Sequence, residues 1–388
     1  MWFFRSSQIA FGDDALSFLS EIQGSRAFIV SDPTLAQMGF VYQAQQKLTA
    51  GGFTCQAFTE VEPDPALQTV ERCAAAMAAF EPDWIVGLGG GSSLDAAKAA
   101  WLRYERPDVD LLSVNPMENY GLRTRARFIL IPTTAGSGAE ITGGAVITDA
   151  ESRRKIEMSV YEFIPDFTIV DPALSAHMPP QLTAETGLDA LTHAVEGYAN
   201  SLYNDYSDAL CLHAARLVFA YLPRAVAHGQ QDMEAREKMA NAATLAGLGI
   251  GNSHSALAHA LGHSAGALFK IPHGRVASLF LPYTIEFTAA GGAGRYLQLA
   301  QAVGLAVETE AQAGVALADA IRGLLTRLGQ PTDLAAAGVS RPDFEAQLSD
   351  LCDRAEIDPA LATCLRFPYR PDLERLYRYA FDGARVDF

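Results

Sequence analysis

Residues 242–269 contain no Asp, Glu, Lys or Arg, yet His254, His259 and His263 fall inside that run, and His273 follows just beyond it in HSALAHALGHSAGALFKIPHG. The chain has eight histidines, so half of them lie in one short window. Taking an imidazole out of water without a partner is costly. An apolar segment that collects histidines must therefore bury them beside something that binds them, and a metal site is the expectation. The run is long enough to suggest a membrane span. Gly247, Gly249, Gly251 and Gly262, together with the imidazoles, favour buried helices instead.

The rest of the chain can supply more than one core. At 388 residues it has room for two domains. Hydrophobic residues at 49% and charged residues at 19% describe an ordinary globular protein. A formal net charge of −16 argues against nucleic acid or an anionic membrane as the partner. Phosphate binding stays open, because backbone N–H groups at a helix start hold phosphate without lysines. Cys55, Cys73, Cys211, Cys352 and Cys364 are scattered with no CxxC pair, which fits reduced thiols in the cytoplasm. The opening MWFFRSSQIAFG has no long apolar core or small-residue cleavage site, so no signal peptide is expected.

Residues 25–178 alternate strand and helix signals. Apolar runs predict strands over 27–30, 53–58, 84–88, 128–131 and 168–170, interleaved with helices over 35–50, 66–80 and 92–104. Alternation of this kind implies a parallel sheet covered on both faces. In WIVGLGGGSSLDAAKAA a strand runs into Gly89, Gly90 and Gly91 and then into a helix capped by Ser92 or Ser93. Glycines admit a pyrophosphate, and the helix start supplies N–H groups. The pattern is close to G-x-G-x-x-G and lacks the G-K-[ST] of a P-loop. A second strand opens into the small, hydroxyl-rich loop Thr133-Thr134-Ala135-Gly136-Ser137-Gly138, another candidate coenzyme contact. Asp32 follows the first strand. It reads either as a ribose acceptor that would repel a 2′-phosphate, or as a turn residue before Pro33. Lys155, in SRRKIEM, reads as a solvated charge.

After Pro179-Pro180 the strand signals stop, which places a domain boundary near 178. Helices are predicted over 183–201, 206–226, 233–248, 253–269, 275–289, 295–303, 308–328, 341–349 and 371–380. The expected fold class is thus an N-terminal Rossmann-like α/β domain (1–178) followed by an all-helical metal-binding and substrate domain (179–388), with the active site in the cleft between them. Asp189 and His193 lie four apart on one helix, and His259 and His263 repeat that spacing on another. A cage of imidazoles and a carboxylate suits Fe2+ or Zn2+ better than Mg2+ or Ca2+.

Four separated motifs, GGGSSLDAAK (89–98), IPTTAGSGAE (131–140), GLDALTHAVEGY (187–198) and H-x3-H-x9-H-G (259–274), occur in an order that resembles the iron-containing (group III) alcohol dehydrogenases. The resemblance implies metal ligation by Asp189, His193, His259 and His273. It implies that His263 lies near nicotinamide and substrate without ligating the metal. It assigns Gly89, Gly90, Gly91, Ser92 and Asp95 to the pyrophosphate loop, Thr133, Thr134 and Ser137 to the second coenzyme loop, and Lys155 to a coenzyme contact. It matches Asp32 to the acidic position associated with NAD, leaving NADP less favoured. Two departures are Ala277, where many members carry asparagine, and the additional His254; both bear on pocket shape.

The implied reaction interconverts a primary alcohol and its aldehyde, with iron (or zinc) as Lewis acid and His263 relaying the proton. Alternatives are a glycerol dehydrogenase-like enzyme, a maleylacetate-type keto-acid reductase and, more distantly, a dehydroquinate-synthase-type lyase. The expected partners are a small alcohol or aldehyde and a second copy of the chain, in a homodimer or larger homo-oligomer. Neither nucleic acid nor a membrane is expected.

Overall fold

A computed structural model describes residues 3–149 and 154–388. It divides into two compact units, Met1–His177 and Met178–Phe388. The first unit runs β1 (Gln8–Phe11), β2 (Arg26–Val30), α1 (Pro33–Gln37), α2 (Phe40–Ala50), β3 (Thr54–Phe58), α3 (Leu67–Phe80), β4 (Trp84–Gly89), α4 (Gly91–Glu105), β5 (Arg127–Pro132), β6 (Gly144–Asp149), β7 (Arg154–Ser159), β8 (Phe167–Val170) and α5 (Pro172–Ser175). Among the described residues, six strands form a parallel sheet in the order β1-β8-β5-β4-β2-β3, while β6 and β7 form a separate antiparallel hairpin.

Both faces of this sheet are apolar, which is why its strands read as unbroken hydrophobic runs rather than alternating ones. Phe28, Val30, Ile85, Phe128 and Leu130 pack to one side with Trp101 of α4. Ala27, Ile29, Val86, Leu88, Ile129 and Ile131 pack to the other with Val41 and Leu48 of α2. From β2 the chain moves outward to β3 and then returns to place β4 on the other side of β2. The strand order reverses there, so the carboxyl ends of β2 and β4 flank the crevice where open sheets of this kind receive ligands.

Three differences from the sequence reading have local causes. The helix expected over 35–50 is two helices, because Gly39 takes φ 85° and turns the chain between them. The edge strand β1 is four residues long, too short to show periodicity. The charge run at Lys155 belongs to β7: Lys155, Glu157 and Ser159 are exposed while Ile156 and Met158 turn inward, a period-2 pattern hidden by the basic residues before it.

The second unit is helical: α6 (Pro180–Tyr198), α7 (Asp205–His228), α8 (Met233–Gly251), α9 (Leu257–Phe269), α10 (His273–Ala290), α11 (Leu297–Ala302), α12 (Glu310–Arg327), α13 (Arg341–Glu356) and α14 (Arg370–Asp382). Helix α6 is its axis, buried from Gly187 through Tyr198 and packed against α7, α8 and α10. The uncharged run 242–269 is divided between the end of α8, a loop, and α9. The stretch Asp205–Gln231 is long and apolar enough to cross a membrane, but its apolar face packs on α6 and α8. All five cysteines are free.

Glu105, at the end of α4, fixes how the chain enters β5. Its carboxylate accepts from the backbone N–H groups of Thr124 (3.0 Å), Arg125 (3.0 Å) and Ala126 (2.8 Å) and from the Thr124 hydroxyl (2.6 Å). It is buried, so water cannot take its place. Glu105→Ala is expected to cost about 3 kcal/mol, because several donors lose their partner together. Glu105→Gln should recover part of this, both read as denaturation midpoints.

Candidate functional site

Helix α6 carries Asp189 and His193 one turn apart, α9 carries His259 and His263 one turn apart, and α10 begins at His273. Asp189, His193, His259 and His273 each offer one ligand atom, and the four atoms lie within 4.8 Å of one another. Asp189 Oδ1 is 3.9 Å from His193 Nε2 and 3.5 Å from His273 Nε2. The rings of His193 and His259 stack at 4.9 Å between centroids. His263 packs beside the group, 5.3 Å from the His273 ring.

The polar atoms here are not satisfied by the protein. Asp189 Oδ1, His193 Nδ1 and His259 Nε2 are buried without a hydrogen-bond partner. Leaving such an atom unmet costs about 1–3 kcal/mol, so Asp189 Oδ1, which faces the Nε2 atoms of His193 and His273, and His259 Nε2 call for a further occupant. One carboxylate and three imidazoles suit a borderline divalent ion. The electrostatics agree. Burial would push the Asp189 carboxyl up, but the imidazoles of His193, His273, His259 and His263 outweigh it and hold it below its ordinary value. Burial and the neighbouring rings of His193, His273 and His263 push His259 well below its ordinary value, leaving it neutral, the form in which an imidazole can bind a metal.

Two carboxylates back the imidazoles on α9. Glu196, one turn beyond His193, places Oε2 2.5 Å from His259 Nδ1 and also accepts from the N–H groups of Ala256 and Ala258 at the start of α9. Burial pushes Glu196 up to about 7 against the pull of those amides. Because a carboxylate accepts at Nδ1, the orphaned Nε2 is the nitrogen that faces the cluster. Asp358 Oδ2 lies 2.8 Å from His263 Nδ1. Burial raises the Asp358 carboxyl, but the hydrogen bond and charge of His263, the Ala360 N–H and the nearby His259 together outweigh it and hold it below its ordinary value.

Close packing holds the helices that carry these donors in place. A Cβ on Gly274 would collide with the backbone carbonyl oxygen of Glu185 and lie 3.0 Å from Asp189 Cβ, so α10 can start against α6 only with glycine after His273. Beside it, Arg275 donates to Glu185 of α6 at 2.7 Å. Ala277 is buried with its backbone against Gly262. His254 lies outside the four-donor group, in the loop before α9, with Nδ1 near Ser255.

In the first unit the coenzyme candidates gather at the carboxyl ends of adjacent strands. Gly89 ends β4, Gly90 is the N-cap of α4, and Gly91 and Ser92 form its first turn. Ser92 and Ser93 do not cap this helix: no side chain does, and Ser93 Oγ instead meets Asp32 Oδ2 at 3.3 Å. The glycine N-cap leaves the first N–H groups of α4 without a side-chain acceptor. Asp32 Oδ1 caps α1 by accepting from Leu35 N. The second loop is adjoined to the first. Thr133 N donates to Gly89 O at 2.9 Å, and Cβ atoms on Gly90 and Gly91 would meet Thr134 and Ser137 at 3.2 and 3.3 Å.

Asp95 and Lys155 lie differently. The Asp95 carboxylate turns to the hairpin, accepting from Val146 N at 3.0 Å and standing 3.9 Å from the buried Lys98 ammonium. Lys155 pairs with Asp64. Glu196 and Asp358 are the residues the sequence reading passed over. Glu196 had a signal, since it lies seven residues after Asp189 and three after His193, on the same face of α6. Asp358 had none, being 95 residues from its partner.

A model of the iron-containing alcohol dehydrogenases matches residues 6–172, and one for the C-terminal part of the Fe-containing alcohol dehydrogenase family matches 183–381. The chain is 33% identical to the NADPH-dependent butanol dehydrogenase of Clostridium saccharobutylicum, over 100% of both chains. It is 34% identical to aldehyde-alcohol dehydrogenase 2 of Entamoeba histolytica over 98% of its own length, but spans only 46% of that protein. Among solved structures it resembles the alcohol dehydrogenase from Oenococcus oeni (TM-score 0.92, 28% identity, 98% of this chain and 100% of that one). It also resembles sulfoacetaldehyde reductase from Bifidobacterium kashiwanohense in complex with NAD+ (TM-score 0.86, 28% identity, 98% of each chain).

Glu196→Gln is expected to weaken divalent-metal binding about 10- to 100-fold with the fold intact. Metal retained after dialysis against graded chelator concentrations measures it.

Proposed function

The chain belongs to the iron-containing alcohol dehydrogenase family and is an NAD(P)-linked alcohol–aldehyde oxidoreductase, and on that premise we propose an assignment of its site. Asp189, His193, His259 and His273 hold the metal, Fe2+ or alternatively Zn2+. The observation that carries this is the convergence of four donor atoms within 4.8 Å, three of whose residues have buried polar atoms without partners. The ion supplies Lewis acidity toward the substrate oxygen.

The first unit binds the coenzyme. Backbone N–H groups at Gly89, Gly90, Gly91 and Ser92 receive the pyrophosphate at the start of α4. Thr133, Thr134 and Ser137 border it through the adjoining loop. Asp32 accepts from the adenosine ribose and repels a 2′-phosphate, which favours NAD over NADP. Lys155 adds positive charge, and Asp95 acts through the hairpin that carries Lys155. The nicotinamide carries the hydride, and the protein's task is alignment. His263 accepts the hydroxyl proton in alcohol oxidation and returns it in aldehyde reduction. The substrate is a primary alcohol or its aldehyde. A cytoplasmic homodimer or larger homo-oligomer completes the proposal, carried by the family resemblance.

The test is NAD(P)H formation with a panel of alcohols, diols and hydroxy acids, using protein stripped of metal and reloaded with Fe2+ or Zn2+. Activity with primary alcohols, restored by metal and greater with NAD than NADP, is expected. A preference for hydroxy acids would overturn the substrate assignment. Asp189→Ala is expected to remove bound metal and activity together. His263→Ala should lower kcat about 10²-fold with metal content unchanged; loss of metal in that variant would count His263 among the ligands.

A further inference from the structure

We propose that Asp358 is the positioning residue for His263, fixing the orientation and tautomer of the ring so that Nε2 remains as its acceptor nitrogen. The inference rests on the role given to His263 above and deepens it.

Asp358 lies in the C-terminal part of the chain, outside the four motifs that carry the family resemblance. Its two carboxylate oxygens do different things. Oδ1 accepts from Ala360 N at 2.9 Å and caps the short turn Pro359–Thr363. Oδ2 meets His263 Nδ1 at 2.8 Å. The cap needs only the first oxygen, and Asn or Ser would serve it as well. The second contact is therefore not explained by the turn. A carboxylate only accepts, so Nδ1 must be the donor, and in the neutral ring the lone pair is left on Nε2.

The arrangement is firmly held. The Asp358 side chain is 7% exposed, so water does not compete for it. The turn it caps is tied to the loop before α9 by Thr363 Oγ1, which donates to Ser255 O at 2.5 Å. It is tied to the segment just after α6 by Ser201 N, which donates to Thr363 O at 2.8 Å. His259, one turn earlier on α9, is held in the same way by Glu196. Two imidazoles on one helix thus have Nδ1 bonded to carboxylates from two different elements. When the hydroxyl proton passes to His263 Nε2, its bonding pair stays on the substrate oxygen, and the charge gained by the ring faces the Asp358 carboxylate.

Asp358→Asn keeps the cap and offers an N–H in place of the second acceptor, which inverts the demand on the ring. Asp358→Ser keeps the cap and removes the second group. The readouts are the 15N ring signals of His263 in Zn2+-loaded protein, assigned by their loss in His263→Ala, together with kcat, the KM for NAD and metal per chain. The wild type is expected to show the Nδ1–H form, and Asp358→Asn the Nε2–H form. Both Asp358 variants should lose about 10- to 100-fold in kcat, with KM for NAD and metal content within about twofold. An Nε2–H ring in the wild type, an unchanged tautomer in Asp358→Asn, or unchanged kcat would overturn the proposal. If the wild type oxidised no alcohol, the assignment of the reaction would fall, and the ring signals would still decide for or against Asp358.

Discussion

Three buried polar atoms without partners, on helices α6 and α9 that both pack on α10, set the terms for the helical unit. At about 1–3 kcal/mol each, Asp189 Oδ1, His193 Nδ1 and His259 Nε2 are costly for a fold whose net stability is of the order of 10 kcal/mol. Left to itself this part of the protein would relax, turning rings outward or admitting solvent. The surrounding contacts oppose that. Gly274 lets α10 close on α6, the Arg275–Glu185 pair ties the same helices, and Glu196 holds both His259 and the first turn of α9. A ligand that occupies the cluster in the folded state only would return the cost as stability through mass action.

The sheet unit meets its own constraint at the reversal of strand order. Beyond the carboxyl ends of β2, β4 and β5 the loops are tied to one another. Ser31 Oγ donates to Leu88 O at 2.8 Å, Ser93 reaches Asp32, and Thr133 N returns to Gly89 O. Small residues make these ties short. They also leave the start of α4 open, so one choice of residues both closes the sheet and exposes its amides.

Much of this was legible in the sequence because it depends on local pattern. Unbroken apolar runs announced β2, β4 and β5, and the order of motifs announced the family. Helical spacing singled out the Asp189–His193 and His259–His263 pairs, whereas the set of four, His273 included, came from the family resemblance. The contacts between remote segments could not be read. Asp358 meets His263 across 95 residues of chain, and nothing around DPALATC distinguishes it from a turn cap. Asp95 looks like part of the glycine loop by position, yet its carboxylate is committed to the hairpin, a pairing that only the fold creates. The hairpin was hidden because basic residues obscure its alternation. Ser93 seemed a cap because serine before a helix usually is one, but the N-cap is Gly90.

The double tie at Asp32 limits how coenzyme use can drift. The residue proposed to reject a 2′-phosphate also caps α1 through one oxygen and meets Ser93 through the other. A lineage or an engineer seeking to admit NADP by removing that carboxylate would loosen the helix start at the same moment. Exchanges to Ser or Asn leave the cap standing, whereas Ala or Val forfeit it. The accessible route is thus narrow, and it runs through residues that can cap a helix without carrying charge.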